Sequence, residues 1–115
     1  MDNQDVNKSK RYTSVAADIF SNDIKSPDIF LIDVRTPEEF NSGHINGAHN
    51  LDVQSSDFVE NAKLLLPTDK IIAVYCGTGK RSGIASSKLS DLGYKILNLE
   101  GGLNAWTIAN LPIVK

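Results

Sequence analysis

Residues 71–82 read Ile71-Ile72-Ala73-Val74-Tyr75-Cys76-Gly77-Thr78-Gly79-Lys80-Arg81-Ser82. The opening apolar run is too short for a buried helix and rich in β-branched residues, the pattern of a strand covered on both faces. It stops at a loop with two glycines. From Ser82 to Leu92, Ile84, Ala85, Lys88 and Leu89 recur at helical spacing, and Gly93 stands where a left-handed residue ends a helix. Strand, glycine loop and helix form the unit of a parallel sheet, in which successive strands must be joined by crossovers.

The alternation continues in both directions. Downstream, Lys95 to Leu99 reads as a strand, and Gly101-Gly102 precede a last helix with Leu103, Ala105, Trp106 and Ala109, ended by Pro112. Upstream, Ile29 to Ile32 is a second uninterrupted apolar run, ending at Asp33-Val34-Arg35. Thr36-Pro37-Glu38-Glu39 supplies an N-cap threonine, proline at the first helical position and Glu at N3, a capping box that opens a short helix stopped by Ser42-Gly43. Gly43 to Asn50 reads as a structured loop leading to a short extended piece near Ala48 to Val53. Phe58, Ala62, Leu65 and Leu66 share one face of a helix closed by Pro67. Near the start, Val15, Ala16, Ile19 and Phe20 suggest a short amphipathic helix after extended residues around Tyr12. Residues 1–11 lack periodicity and are expected to be a flexible tail, leaving 12–115 as a single domain. The sequence therefore predicts an α/β fold of three layers, α/β/α, with a mostly parallel sheet of about five strands.

Composition narrows the function. The 115 residues suit one core, and 12 Lys+Arg against 14 Asp+Glu give a net charge of -2, without the basic balance of a nucleic-acid binder. The longest strongly apolar run, Ile71 to Cys76, falls far short of the roughly 20 residues that span a bilayer. The polar start carries no apolar secretory stretch, so a cytoplasmic protein is expected. The one cysteine has no partner for an internal disulfide or a multi-thiolate metal site.

Cys76 stands at the carboxyl end of a strand, the edge where ligands bind in open parallel sheets. Gly77 and Gly79 permit positive φ, so the amides of Gly77, Thr78, Gly79, Lys80 and Ser82 can turn into one concavity, a nest for an anion reinforced by the helix that follows. A thiol in that field loses its proton more readily. Arg81 offers a planar cation for an oxyanion, Lys80 a point charge, and Ser82 a helix cap or a hydrogen bond toward the sulfur. The ordinary alternative is an inert buried cysteine.

These residues resemble the rhodanese-like domain family from about Tyr12 to Pro112. The resemblance rests on Leu31-Ile32-Asp33-Val34-Arg35, on Glu39-Phe40 followed by Gly43 to Leu51, on Cys76 to Ser82, and on Leu99-Glu100-Gly101-Gly102 with Trp106. It implies a sulfurtransferase without cofactor. Cys76 would be the nucleophile that takes a sulfane sulfur from a small anion such as thiosulfate, becomes a persulfide, and passes the sulfur to cyanide or a thiol. The loop amides would cradle it, Arg81 would bind the sulfonate, and Arg35 would be a further anion contact. A protein persulfide could serve as donor or acceptor, and neither nucleic acid nor membrane is implied. Two other readings remain: a non-enzymatic or sulfur-relay interaction module, and a cell-cycle-type phosphatase or arsenate reductase. The latter family's loop is one residue longer than the four residues between Cys76 and Arg81 here. His44, His49 and Asp33 are read as structural, the last as a partner for backbone or Arg35, and Trp106 and Leu103 as core.

Overall fold

The computed structural model describes residues 12–115, so the tail expected at residues 1–11 lies outside them. Strands β1 (Thr13–Val15), β2 (Ile29–Asp33), β3 (His49–Asn50), β4 (Ile71–Tyr75) and β5 (Lys95–Leu99) form one sheet in the order β1-β5-β4-β2-β3, with every pairing parallel. Helices α1 (Ala17–Asp23), α2 (Pro37–Ser42), α3 (Phe58–Leu65), α4 (Lys80–Asp91) and α5 (Gly102–Ile108) lie between and after the strands. This is the expected three-layer α/β fold.

The period-two geometry of a strand divides the core. Ile32, Val34, Ile72, Val74 and Ile96 point one way, onto Phe58 and Ala62 of α3 and Ala85 and Leu89 of α4. Leu31, Ala73, Tyr75 and Leu99 point the other way, onto Ala17 and Phe20 of α1 and Trp106 of α5. Both faces are covered, which is why β2 and β4 read as unbroken apolar runs rather than alternating ones. Burying each large side chain contributes roughly 1.5–3 kcal/mol. That packing, not intrinsic propensity, holds helices as short as α1 and α5, at 7 residues each. Trp106 also donates its indole N–H to the Pro112 carbonyl at 2.8 Å, pinning the chain after α5.

The capping box of α2 forms as read: the Thr36 hydroxyl accepts from the Glu39 amide at 3.3 Å, and Glu39 Oε1 accepts from the Thr36 amide at 3.1 Å. Three local expectations are corrected. Val15 lies in β1 and Ile19 is 50% exposed, so the supposed single apolar face was shared between a strand and a helix. Of the extended piece after the loop, His49 and Asn50 alone are in strand register with β2, while the Leu51 and Val53 amides still donate to the Asp33 and Val34 carbonyls at 2.9 and 3.1 Å. Helix α4 begins at Lys80, two residues before Ser82, because Gly79 in the left-handed region caps it without any side-chain signal.

Topology selects the working edge. β2 and β4 are neighbours, yet the chain leaving β2 goes to β3 on one side while the chain leaving β4 goes to β5 on the other. The crevice beyond their carboxyl ends is a topological switch point, where open α/β sheets bind ligands.

Candidate active site

Cys76 follows the central strand directly, and its Sγ accepts two backbone hydrogen bonds, from Gly79 at 3.0 Å and Ser82 at 3.2 Å. Gly79 sits at φ +102, a conformation that costs a side chain strain but turns the loop back toward the sulfur. Ser82 is in the first turn of α4, so its amide carries the positive end of the helix dipole. Burial pushes the Cys76 thiol up. Hydrogen bonds from the Ser82 hydroxyl and amide and from the Gly79 and Thr78 amides outweigh that, and the thiol lies below its ordinary value. The Ser82 hydroxyl also lies 3.2 Å from the Gly79 carbonyl oxygen, the partner it can share with the sulfur. An inert cysteine among apolar neighbours would shift the opposite way. Cys76, 1% exposed, is a buried thiol with its anion already solvated by protein amides.

The start of α5 forms the floor of the loop. Leu103 donates its amide to the Cys76 carbonyl at 2.7 Å and Asn104 donates to the Gly77 carbonyl at 2.9 Å. Gly102, at φ +62, approaches so closely that a Cβ there would stand 2.6 Å from the Gly77 carbonyl oxygen and 2.7 Å from that of Cys76. Above it, a Cβ on Gly79 would lie 3.3 Å from the Gly101 nitrogen. The loop thus rests on glycine backbone. The Gly101-Gly102 pair is visible in the sequence, but its contact with residues some 25 positions earlier leaves no local signal.

The cations divide into one that borders the loop and one that does not. Arg81 places its guanidinium over the loop, 3.6 Å from where a Gly77 Cβ would be, and donates to both carboxylate oxygens of Glu39, at 2.7 and 2.9 Å. The Arg81 hydrogen bonds hold the Glu39 carboxyl at about 2, against the opposing effect of burial, with Thr36 assisting. Lys80 and Thr78 are exposed at the loop's rim. Gly77 does not adopt the positive φ expected of it; within the loop only Gly79 does.

Arg35, expected as an anion contact, is buried and turned toward a carboxylate. Its guanidinium is 6% exposed and donates to both Asp33 oxygens, the closest at 2.7 Å, and to the Gly43 carbonyl at 2.7 Å. The reason is Asp33, fully buried at the end of β2, whose charge demands a paired cation more strongly than solvent-exposed chemistry could. The pair ties β2 to the end of α2. The structural readings of the histidines hold: His44 stacks on Phe40 at 3.8 Å with Nδ1 2.9 Å from the Phe40 carbonyl, and His49 stacks on Phe30 at 4.4 Å.

The residue that sequence reasoning placed wrongly in the hierarchy is Glu39. It was read only as a helix cap, and its partner Arg81 is 42 positions away. A shallow depression of about 310 Å³ borders the loop at Gly77, Thr78, Leu103, Asn104 and Thr107. A larger hollow, about 730 Å³, lies at the opposite edge of the sheet between Thr13, Ile29, Ile71 and Lys95, away from Cys76. Among the described residues no helix is long and apolar enough to cross a membrane, and no three His, Cys, Asp or Glu side chains converge as metal ligands.

Known proteins resemble this chain in sequence and fold. The model of the rhodanese-like domain matches residues 16–109. A protein named sulfurtransferase from Allochromatium vinosum is 37% identical over 93 residues, covering 76% of this chain and 79% of its own. Thiosulfate sulfurtransferase GlpE from Pseudomonas putida is 36% identical over 84 residues, covering 71% of this chain and 73% of the relative. The crystal structure of a rhodanese-related protein from Thermoplasma volcanium aligns with a TM-score of 0.80 at 36% identity, over 90% of this chain and 98% of that one. A sheet whose central strand delivers a cysteine into a loop of amides, matched in sequence over most of its length, places this chain in the rhodanese-like domain family, among relatives named sulfurtransferases.

Proposed function

We propose that residues 12–115 work as one sulfurtransferase domain that moves a sulfane sulfur from a donor such as thiosulfate, through a persulfide on Cys76, to an acceptor such as cyanide or a thiol. The observation that supports this best is the pair of amides on Cys76 Sγ, from Gly79 and Ser82. They favour the thiolate, and a thiolate is the form that attacks sulfur.

In the first step the Cys76 thiolate attacks the outer sulfur of thiosulfate. The new S–S bond forms as the donor's S–S bond breaks, and sulfite leaves with the bonding electron pair. Cys76 is then a persulfide anion whose outer sulfur extends past the loop amides. Arg81 at the rim would receive the sulfonate and the charge that grows on it as sulfite departs. In the second step cyanide attacks the outer sulfur, thiocyanate leaves, and the Cys76 thiolate returns. No proton moves in either step, so no general base is required, consistent with His44 and His49 being occupied elsewhere. A cytoplasmic setting, which keeps a lone thiol reduced, suits the reaction.

Intact-mass measurement tests the reading. Thiosulfate should add about 32 Da, one sulfur, at Cys76, and cyanide should remove it with formation of thiocyanate. No mass gain with thiosulfate or with polysulfide, in protein that is folded, overturns it. Phosphate-ester hydrolysis by such a sample would favour the phosphatase alternative instead.

A further inference from the structure

Arg81 borders the loop that holds the reacting sulfur, and it is already matched. Both of its terminal nitrogens donate to Glu39, and both Glu39 oxygens accept from it. The carboxylate is not a wandering surface group that happened to fall there. Glu39 Oε1 also accepts from the Thr36 amide and hydroxyl, each at 3.1 Å. The helix that carries it is anchored at its far end, where Arg35 grips the Gly43 carbonyl at 2.7 Å and Asp33 grips Arg35. Asp33, Arg35, α2, Glu39 and Arg81 therefore form a continuous brace from the end of β2 to the rim of the Cys76 loop.

From this geometry we propose that Glu39 is a specificity-determining residue: it occupies the guanidinium that an anionic sulfur donor would use and so selects against dianionic donors. A bidentate carboxylate and a sulfonate compete for one planar fork. Any sulfonate must displace Glu39 or bind a cation whose charge is already cancelled, and it meets the negative Glu39 beside it. A neutral donor meets no such penalty, and a singly charged one, such as a thiol persulfide anion, meets a smaller one than a dianion. For a neutral persulfide the Cys76 thiolate attacks the outer sulfur of R–S–SH, the donor's S–S bond breaks with its electron pair going to the inner sulfur, and the thiolate R–S⁻ leaves while the proton stays on the new persulfide. Glu39 is ionised at any working pH, because Arg81 holds its carboxyl at about 2, so the selection does not switch off near neutrality.

This deepens the proposed sulfur transfer, but its first test does not depend on that reading. The chain has one cysteine, so alkylation reports Cys76 alone. The probes are iodoacetate, an anion, and iodoacetamide, its neutral counterpart, used on the folded full chain. Glu39→Gln preserves the shape and the capping box, in which Glu and Gln both serve, and removes only the charge; Glu39→Ala removes both. The ratio of iodoacetate to iodoacetamide rates should rise in both variants by about twofold or more, the effect of removing one negative charge beside the loop. The rise should shrink at high salt. An unchanged ratio overturns the proposal, as does a Cys76 that neither reagent reaches in folded protein. With sulfur donors, Glu39→Gln should lower KM for thiosulfate while leaving kcat near wild type and leaving a neutral persulfide donor unaffected. A fall in kcat for both donors, or a higher thiosulfate KM, would mean that Glu39 only supports the fold or positions Arg81. Absence of any sulfur transfer alongside a changed alkylation ratio would sink the sulfurtransferase reading while keeping the charge selection.

Discussion

Replacing Gly102 with alanine isolates the contribution of the loop's floor. The residue holds φ +62, and its added methyl would stand 2.6 and 2.7 Å from the carbonyl oxygens of Gly77 and Cys76. Neither neighbour can yield by rotating a side chain, because both are backbone. The left-handed conformation alone costs a non-glycine residue about 1–2 kcal/mol. Relief of the contact must push α5 away from the loop, which breaks or stretches the bonds from Leu103 to Cys76 and from Asn104 to Gly77, now 2.7 and 2.9 Å. Two backbone hydrogen bonds at about 1 kcal/mol each bring the total to about 3–4 kcal/mol. Gly47→Ala supplies the control: it too has positive φ, +89, but no atom lies within 4 Å of its added methyl, so it should cost only the conformational 1–2 kcal/mol or so. Urea unfolding of both variants measures the difference, expected at about 2 kcal/mol. A second readout ties the fold to the chemistry. Because the loop amides hold the sulfur, Gly102→Ala should also raise the Cys76 titration toward that of a free thiol, and Gly47→Ala should not. Equal destabilisation by the two substitutions, or an unmoved thiol in Gly102→Ala, would refute the reasoning.

Three further outcomes rest on the buried charges. The rate of Cys76 alkylation against pH should break below the free-thiol value of about 8.5, because the amides favour the thiolate; a break at or above that of an unfolded control contradicts the geometry. The stability sign agrees: a depressed thiol contributes stability that is present above the unfolded value and is lost as pH falls through the folded one, so the advantage of wild type over Cys76→Ser should grow on raising the pH across that window. Arg35→Ala leaves the fully buried Asp33 unpaired and should cost about 3–5 kcal/mol in denaturant unfolding, most of it recovered by adding Asp33→Asn. If Arg35→Ala instead leaves stability intact and weakens only thiosulfate use, Arg35 is an anion contact after all.

What could be read in the sequence was what depends on neighbours in the chain. The runs at Ile29 and Ile71 declare buried parallel strands because both faces of this sheet are covered, and Thr36-Pro37-Glu38-Glu39 declares a helix start because its bonds span three residues. The order of strands leaves no such trace, since β1 joins the sheet beside β5 only through crossovers. The site divides the same way. Cys76, Gly79 and Ser82 lie within seven consecutive residues, and one turn of backbone suffices to bring them together. Arg35 shows the limit: an arginine after a strand end looks like a ligand contact, and only the fold reveals that the buried Asp33 two residues earlier holds its guanidinium. Glu39 was hidden for the complementary reason. Its local role as a cap was correct and complete by sequence rules, so nothing pointed to a second role across the sheet edge.

The solitary cysteine constrains the second half of the proposed reaction. A persulfide formed on Cys76 finds no other thiol among these 115 residues, so the sulfur would leave to an acceptor that these residues do not supply. The floor made by Gly101-Gly102 and the start of α5 closes the loop from beneath, which leaves the rim, bordered by Thr78 and Arg81, as the side from which an acceptor approaches. The acceptors that cleave a persulfide are nucleophiles, commonly thiolates or cyanide, and are themselves anions. Arg81 cancelled by Glu39 neither repels nor holds such a species. Exposed Lys80, in the first turn of α4, adds a screened positive charge at the rim. The arrangement that discriminates against a dianionic donor thus imposes less on a singly charged acceptor, and the same pair of residues can bias both halves of the transfer toward thiol chemistry.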